Sequence, residues 1–318
     1  MTKTNFLIAI ALTCLWGTIS AQDHRTISLV VPFSAGSAQD VSARLISEPL
    51  AQELHARVVV VNKPGAGGTI ASAYVAGAKP DGLTYLMASA SHHLAGAVYP
   101  ALPYHPLDSF RGAGLLGFSE FVLITSESMR TPDLAAFVAR VKSNPNAFNY
   151  ASAGYGSTTH VGMASFLKSA NLQMAHIPLK GTSEIINEVL SGRIQAAMVS
   201  SLSIFGYRAD PRVRLLATTG ARRSEYLADV PTIAESGFPQ FKWLVWAGLL
   251  APAATPAEKV EDINRAVAKV INEPTMHTRL TQLGLYPKSL SRAQFDSVLK
   301  DDWLHASQLM DQFKMTQD

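Results

Sequence analysis

"ISLVVPFSAGSAQDVSARLI", residues 27–46, holds a strand, a bare loop and the start of a helix within one short stretch. The run of strand formers stops at Pro32, passes through Phe33, Ser34, Ala35, Gly36, Ser37, Ala38 and Gln39, and restarts as a helical pattern behind Asp40. In a parallel sheet, ligands settle outside the carboxyl ends of the strands, where loops run into helix N-termini. Free backbone N–H groups and the helix dipole make such a terminus attractive to an anion, and side chains this small let a ligand reach the main chain. An ordinary strand-to-helix turn with Asp40 as its cap accounts for the same residues. The stretch alone leaves the two readings level.

Working outward, "RVVVVNKPGAGG", "TIASAYVAGA" and "LTYLMASA" continue the order strand, helix, strand, which predicts βαβ units and a parallel sheet, an α/β fold. Pro49 falls inside the first helical pattern and is expected to kink or shorten it, since proline removes a donor and crowds the preceding turn. A second block repeats the plan. Helix "TPDLAAFVARVKSN" opens with proline behind Thr131, a capping arrangement, and "FNYASAGYGSTTHVGMASFLKSA" is again strand, small loop and helix. "MAHIPLKG", helix "TSEIINEVLSG" and strands "IQAAMVS" and "VRLLATTG" complete it. In the later helix "AEKVEDINRAVAKVINEP", Val260, Ile263, Val267, Val270 and Ile271 share one face and read as core.

Two apolar stretches, "FVLIT" and "WLVWAGLL", each lie between one α/β block and the next. If both cross between lobes, residues 22–122 plus 244–318 form one lobe and residues 123–243 the other, with a cleft and a two-stranded hinge. A chain of 318 residues is long enough for two such units.

Only 16% of the residues are charged, the formal net charge is +3, and no lysine or arginine run occurs. Neither a nucleic-acid footprint nor a polybasic membrane patch is visible, which leaves small-molecule work. The first residues differ from the rest. Lys3, the apolar "FLIAIALTCLWG" and the small-residue exit "TISAQD" fit a secretory signal peptide over residues 1–21, cleaved after Ala21. The apolar core is shorter than a membrane anchor needs, and "ALTC" has threonine where a lipidated cysteine usually follows glycine or alanine. Cys14 is the only cysteine, so the mature chain carries none. That suits an oxidising compartment and excludes thiol redox chemistry, Cys-ligated zinc and iron–sulfur clusters.

The loop of the second block, "SAGYGSTTH" from Ser152 to His160, matches the first in character and position: Ser152, Ala153, Gly154, Tyr155, Gly156, Ser157, Thr158, then His160. Two donor-rich loops facing each other across a cleft would grip a carboxylate from both sides with charge-assisted bonds. Neither loop holds lysine or arginine. Other motifs fail on inspection. "NKPGAGGTI" has Ile70 where a dinucleotide loop needs its third glycine. Ser157 and His160 could share a helix face as a nucleophile and base, but no GxSxG elbow or orienting acid accompanies them. His92 and His93, neighbours at the end of a strand, would point to opposite faces and chelate one metal poorly, whereas one of them could line the cleft.

Taken in order, "ISLVVPFSAGSAQD", "VVVNKPGAGGTIA", "AKPDGLTYLMASASHH", "YPALPYHPLDSF", "FNYASAGYGSTTH", "IPLKGTSEIINEVLSGRI", "LADVPTIAESGFP" and "GLLAPAATP" resemble the periplasmic substrate-binding proteins of tripartite tricarboxylate transporters, the Bug family, over about residues 24 to 315. The resemblance implies a type II periplasmic binding protein fold in which two lobes, each a mainly parallel sheet flanked by helices, are joined by two crossing strands. It implies a monomer of the periplasm that closes on a small carboxylate, delivers it to membrane permease subunits, and needs no cofactor, metal or nucleic acid. In the family the two strand-to-helix loops, here Phe33 to Asp40 and Ser152 to His160, hold one carboxylate. The family's "PYKG" corresponds to Pro178, Leu179, Lys180 and Gly181, and the end of its third strand to Ser89 through His92. Departures are Ser37 for the second glycine of a pair, Ala153 and Ser157 for a serine and a threonine, Leu179 for tyrosine and Gln195 for an acid. A co-sensor docking on a signalling receptor with the same pocket, and a hydrolase built on Ser157 and His160, are the rival expectations.

Overall fold

The computed structural model describes residues 25–99, 101–224 and 227–313; the expected leader and Cys14 lie outside them. The first block is β1 (Thr26–Val31), α1 (Ala38–Leu54), β2 (Arg57–Asn62), α2 (Thr69–Ala76), β3 (Thr84–Ser89) and α3 (Ser91–Val98). The long β4 (Phe110–Ser126) leads to α4 (Leu134–Ser143), β5 (Asn149–Ser152), α5 (Thr158–Ser169), β6 (Ala175–Pro178), α6 (Thr182–Leu190), β7 (Ala196–Ser200), the single turn α7 (Ser201–Ile204) and β8 (Val213–Thr218). The chain then returns through β9 (Leu244–Pro252) to α8 (Ala257–Asn272), α9 (Pro274–Gln282), β10 (Leu285–Pro287) and α10 (Arg292–Phe313).

The strands form one curled mixed sheet in the order β2-β1-β3-β9-β4-β7-β5-β6, with β8 and β10 also paired to β4. Parallel pairing joins β1 to β2 and β3, and β5 to β6 and β7. The strands between these groups run antiparallel, because a chain that leaves one half and later re-enters it must pass the hinge in both directions. β4 makes the switch: Phe110 to Glu120 pair with β9, and from Phe121 onward β4 pairs with β7 and β8 instead.

Both faces of the sheet are covered, which is why its inner strands read as unbroken apolar runs. From β1, Ile27, Leu29 and Val31 pack with Ile46 and Leu50 of α1 and with the apolar face of α8. Val30 points the other way into a core that also holds Phe166 of α5 and Phe295 of α10 and so runs past the hinge. Val260, Ile263, Val267, Val270 and Ile271 are all buried, as the helical period requires.

Three local expectations are corrected. α1 begins at Ala38 behind Ser37, whose hydroxyl accepts from the Asp40 N–H, so Ser37 and not Asp40 is the N-cap. Pro49 does not end α1, which runs on to Leu54. The cap of α4 is Asp133, accepting from the Ala136 N–H at 2.8 Å; Thr131 is buried and lies outside the helix.

Candidate functional site

The two loops have the same build. Gly36 (φ 80°) and Gly156 (φ 71°) take left-handed backbone that favours glycine. Each is followed by a serine N-cap in extended conformation, Ser37 (φ −66°, ψ 161°) and Ser157 (φ −68°, ψ 156°). Each serine hydroxyl accepts from the N–H three residues on, at 3.3 Å from Asp40 and 3.2 Å from His160. The caps leave the earlier first-turn amides, those of Ala38 and Gln39 and of Thr158 and Thr159, without partners from their own helices. All four residues line one cavity between the halves of the molecule.

The side chains behind the loops hold them rigid. The Asp40 carboxylate accepts from the Gly36 N–H at 2.9 Å, from Arg44 Nε at 3.0 Å and from Asn62 Nδ2 at 2.9 Å. Burial pushes this carboxyl up, but the Arg44, Gly36 and Asn62 donors and the Arg44 charge together hold it below the ordinary value. Asn62 Nδ2 also donates to the Phe33 carbonyl at 3.0 Å. Asp40 is therefore spent on shaping the first loop and is not aimed at a ligand. In the second loop, Ser157 Oγ donates to the Gly154 carbonyl at 2.7 Å, the Gly154 N–H donates to Ser152 Oγ at 3.1 Å, and the Ala153 N–H donates to Thr159 Oγ1 at 2.9 Å.

Behind Ser152 stands an aromatic stack. The rings of His160 and His176 are 4.0 Å apart and nearly parallel, and Tyr155 meets both edge to face. His176 Nε2 lies 2.6 Å from Ser152 Oγ. Burial, and then His176, push the His160 pKa down to about 3, and burial pushes His176 down to about 4. Both rings are neutral near pH 7, and His160 Nδ1 accepts from the Gly156 N–H at 3.2 Å. Ser157 gives its proton to a carbonyl and meets His160 through the main-chain N–H, so the nucleophile–base bond a serine hydrolase requires is not formed.

The halves touch along both sides of the cleft. Ser183 Oγ donates to the Ala35 carbonyl at 2.7 Å, and Ser34 Oγ to the Lys180 carbonyl at 3.5 Å. A Cβ on Gly36 would come within 2.6 Å of Ser183 Oγ, and one on Gly181 within 2.5 Å of Ser34 Oγ. On the opposite side a Cβ on Gly67 would lie 2.5 Å from the Tyr155 carbonyl oxygen, and one on Gly156 2.8 Å from Ala95 Cα. At Gly67 and Gly156 backbone meets backbone and leaves no room for a side chain, whereas Gly36 and Gly181 face serine hydroxyls.

Two cavities lie between these seams. The deep one, about 30 Å³, is lined by Phe33, Ser89, Ala153, Ser157 and Thr158 among the expected residues, and by Gln39, Thr159, Thr182 and Ser200, which sequence reasoning did not single out. Its floor is the hinge, with Ser119 and Phe121 of β4 and Trp246 of β9. The outer one, about 350 Å³, is lined by Ala153, Gly154, Tyr155 and Lys180 as expected, and by Tyr99 and Gly65 to Gly67, which were not. Ser34, Ala35, Gly36 and Gly181 lie on one seam and Gly156 on the other, with Ser37, Ser152 and His160 behind the loops. His92 is corrected: it lies in the first turn of α3 and is buried, with Nε2 2.7 Å from the Pro106 carbonyl, Nδ1 2.9 Å from Ser72 Oγ, and its ring against Phe110. Burial and the adjacent His93 push it down to about 3. Gln195 takes a structural place, its Oε1 accepting from the Asn149 N–H. Among the described residues no three His, Cys, Asp or Glu side chains are grouped to hold a metal, and no helix is long and apolar enough to cross a membrane.

This architecture recurs in known proteins. The family model described as "Tripartite tricarboxylate transporter family receptor" matches residues 42–315. The "UPF0065 protein in tcbD-tcbE intergenic region" of Pseudomonas sp. (strain P51) is 35% identical over 268 residues, covering 84% of this chain and 80% of that protein. The structure of the periplasmic binding protein BugD superposes with a TM-score of 0.88 at 27% identity, covering 92% of this chain and 99% of the other. MatC from Rhodopseudomonas palustris with bound malate gives 0.84 at 28% identity, covering 90% and 98%. Fold and family are those of substrate-binding proteins and not of enzymes. The chain belongs to the tripartite tricarboxylate transporter receptor family, the Bug group of solute-binding receptors.

Proposed function

We propose that this receptor works in the periplasm, after loss of residues 1–21, where it captures a small carboxylate in the cleft and hands it to the membrane permease of a tripartite transporter. The observation that carries the reading is the convergence of two helix N-termini on one cavity. The first-turn amides of Ala38, Gln39, Thr158 and Thr159 and the positive ends of two helix dipoles surround a space of about 30 Å³. By the volume a buried water needs, this holds about two water-sized groups, which is the size of the two oxygens of a carboxylate. No charged side chain lines that space, so main-chain and hydroxyl donors would do the work. The malate bound by MatC is a carboxylate of this kind.

The lobes of the proposal are residues 22–122 plus 244–318 and residues 123–243. The change of partners in β4 after Glu120 and the start of β9 at Leu244 support that division. Binding drives closure only through tighter contact in the closed form. Isothermal titration with malate, adipate and benzoate tests the reading on wild type and on the double variant Ser157→Ala with Thr158→Ala. Affinity for at least one acid, lost or weakened at least tenfold in the variant, is the expected result. Unchanged affinity would remove the second loop from the site.

A further inference from the structure

The outer chamber has a chemistry of its own. It adjoins the deep cavity at Ala153, which lines both. The outer chamber holds about 350 Å³, within the range of small-molecule sites, and its place beside Ala153 makes it the nearest large space for the body of a solute held by its carboxylate in the deep cavity. Two tyrosines bound this chamber from opposite halves of the molecule. Tyr99, at the end of α3, lies against Gly67, with its Cε2 3.6 Å from where a Cβ on Gly67 would stand. Tyr155 is held edge to face by the stacked rings of His160 and His176, at 5.3 and 4.8 Å. Both tyrosines line the chamber, and burial, and then Tyr155, push the Tyr99 phenol up.

The remaining walls carry no net charge. Lys180 and Glu184 are the charged residues lining the chamber, and Glu184 Oε2 accepts from the Lys180 main-chain N–H at 2.9 Å, which holds the acid at the wall. A second carboxylate placed here would meet walls with one acid for their one base, and that base is exposed, so the gain is small. A ring placed here would meet Tyr99, Tyr155, Leu179 and Pro178. The bare backbone of Gly65, Ala66 and Gly67, at φ 134°, 46° and 64°, allows close approach from the remaining side.

We infer that Tyr99 and Tyr155 are specificity-determining residues that clamp the body of an aromatic monocarboxylate, so that benzoate-class acids are the receptor's substrate class in preference to short dicarboxylates. This rests on the carboxylate-receptor reading above. Aromatic pairs add about 0.5–1.5 kcal/mol beyond the area they bury, so each tyrosine corresponds to about a threefold to tenfold effect on affinity.

Titration calorimetry of the purified full-length mature protein with benzoate, 4-hydroxybenzoate, malate and adipate tests it, alongside Tyr99→Ala, Tyr155→Ala, Tyr99→Phe and Tyr155→Phe. The expected result is benzoate or 4-hydroxybenzoate bound at least tenfold tighter than either dicarboxylate, threefold to tenfold weaker binding of the aromatic acids in each alanine variant, and retention in the phenylalanine variants. The phenylalanine variants keep the test valid if alanine disturbs folding, which circular dichroism would show. Malate or adipate bound as tightly as the aromatic acids overturns the inference and leaves the receptor reading standing. Binding of none of the four acids overturns both.

Discussion

At the residue scale, two serines of the same geometry do unequal work. Ser37 Oγ accepts from one amide, whereas Ser157 Oγ accepts from the His160 N–H, donates to the Gly154 carbonyl and lies 2.9 Å from Thr159 Oγ1. Ser37→Ala is expected to cost about 1 kcal/mol, the usual value of a cap. Ser157→Ala removes the cap and also leaves the buried Thr159 hydroxyl proton without an acceptor, so it is expected to cost about 2–3 kcal/mol. Urea denaturation of both variants checks this, and equal midpoints would deny Ser157 its extra role. These loops were legible in the sequence because a cap, a left-handed glycine and its helix are neighbours along the chain. Asp40 was misread as the cap for the converse reason: its partner Asn62 lies on β2, brought to it only by the pairing of β1 with β2.

At the element scale, the packing of α5 on β6 buries two neutral histidines, and α3 buries a third. His160 and His92 are held at about 3 and His176 at about 4, against 6.5 when exposed. Between those values the unfolded chain binds protons that the folded chain does not. Stability from these groups is full above about pH 6.5 and is lost as pH falls toward 4 and 3, by about 1.4 kcal/mol per pH unit for each histidine. Asp40, held low, adds to the loss only below its ordinary value of 3.8. Thermal midpoints from pH 7 to pH 4 should therefore fall steeply, and His176→Gln should show a shallower slope. A parallel pH profile would sink the assignment.

The same scale holds the loop from Gly65 to Gly68, whose role its motif does not reveal, since its contact Tyr155 is some ninety residues away. A methyl on Gly67 would meet the Tyr155 carbonyl of the other half, at a φ of 64°. The backbone strain, about 1–2 kcal/mol, acts whether or not the halves meet, but the collision acts only where they meet, which in the proposed function is the ligand-closed form. Gly67→Ala should therefore weaken ligand binding at least tenfold while lowering the ligand-free melting midpoint by only a few degrees. Wild-type affinity in calorimetry would show that the seam does not form on binding.

At the scale of the whole molecule, "FVLIT" and "WLVWAGLL" were legible as apolar strands between the blocks, and they lie in β4 and β9, but the antiparallel pairing of those strands was not, because apolar patterns do not record direction. Nor did the sequence mark Glu120, a fully buried acid at the residue where β4 changes partners. Its carboxylate accepts from the Tyr286 hydroxyl at 2.9 Å, on β10 of one half, and from Ser224 and the Gly220 N–H, in the segment after β8 of the other. It thus ties both halves together across the hinge, with neutral donors and no cation. Burial raises its pKa, and the Tyr286, Ser224 and Gly220 donors offset that only in part. For an acid with a raised folded pKa, the contribution to stability is full below the unfolded value and is lost as pH rises through the folded one. At pH 7 the buried charge therefore costs stability. Glu120→Gln keeps an acceptor for Tyr286 without that charge, so it should be more stable than wild type at pH 7, with the difference gone near pH 4. Glu120→Leu strands the donors from both halves and should lose about 1–3 kcal/mol for each buried group left unpaired. Urea denaturation of wild type and both variants at the two pH values decides the matter. A Gln variant less stable at pH 7 would mean that the ionised carboxylate is itself what braces the hinge.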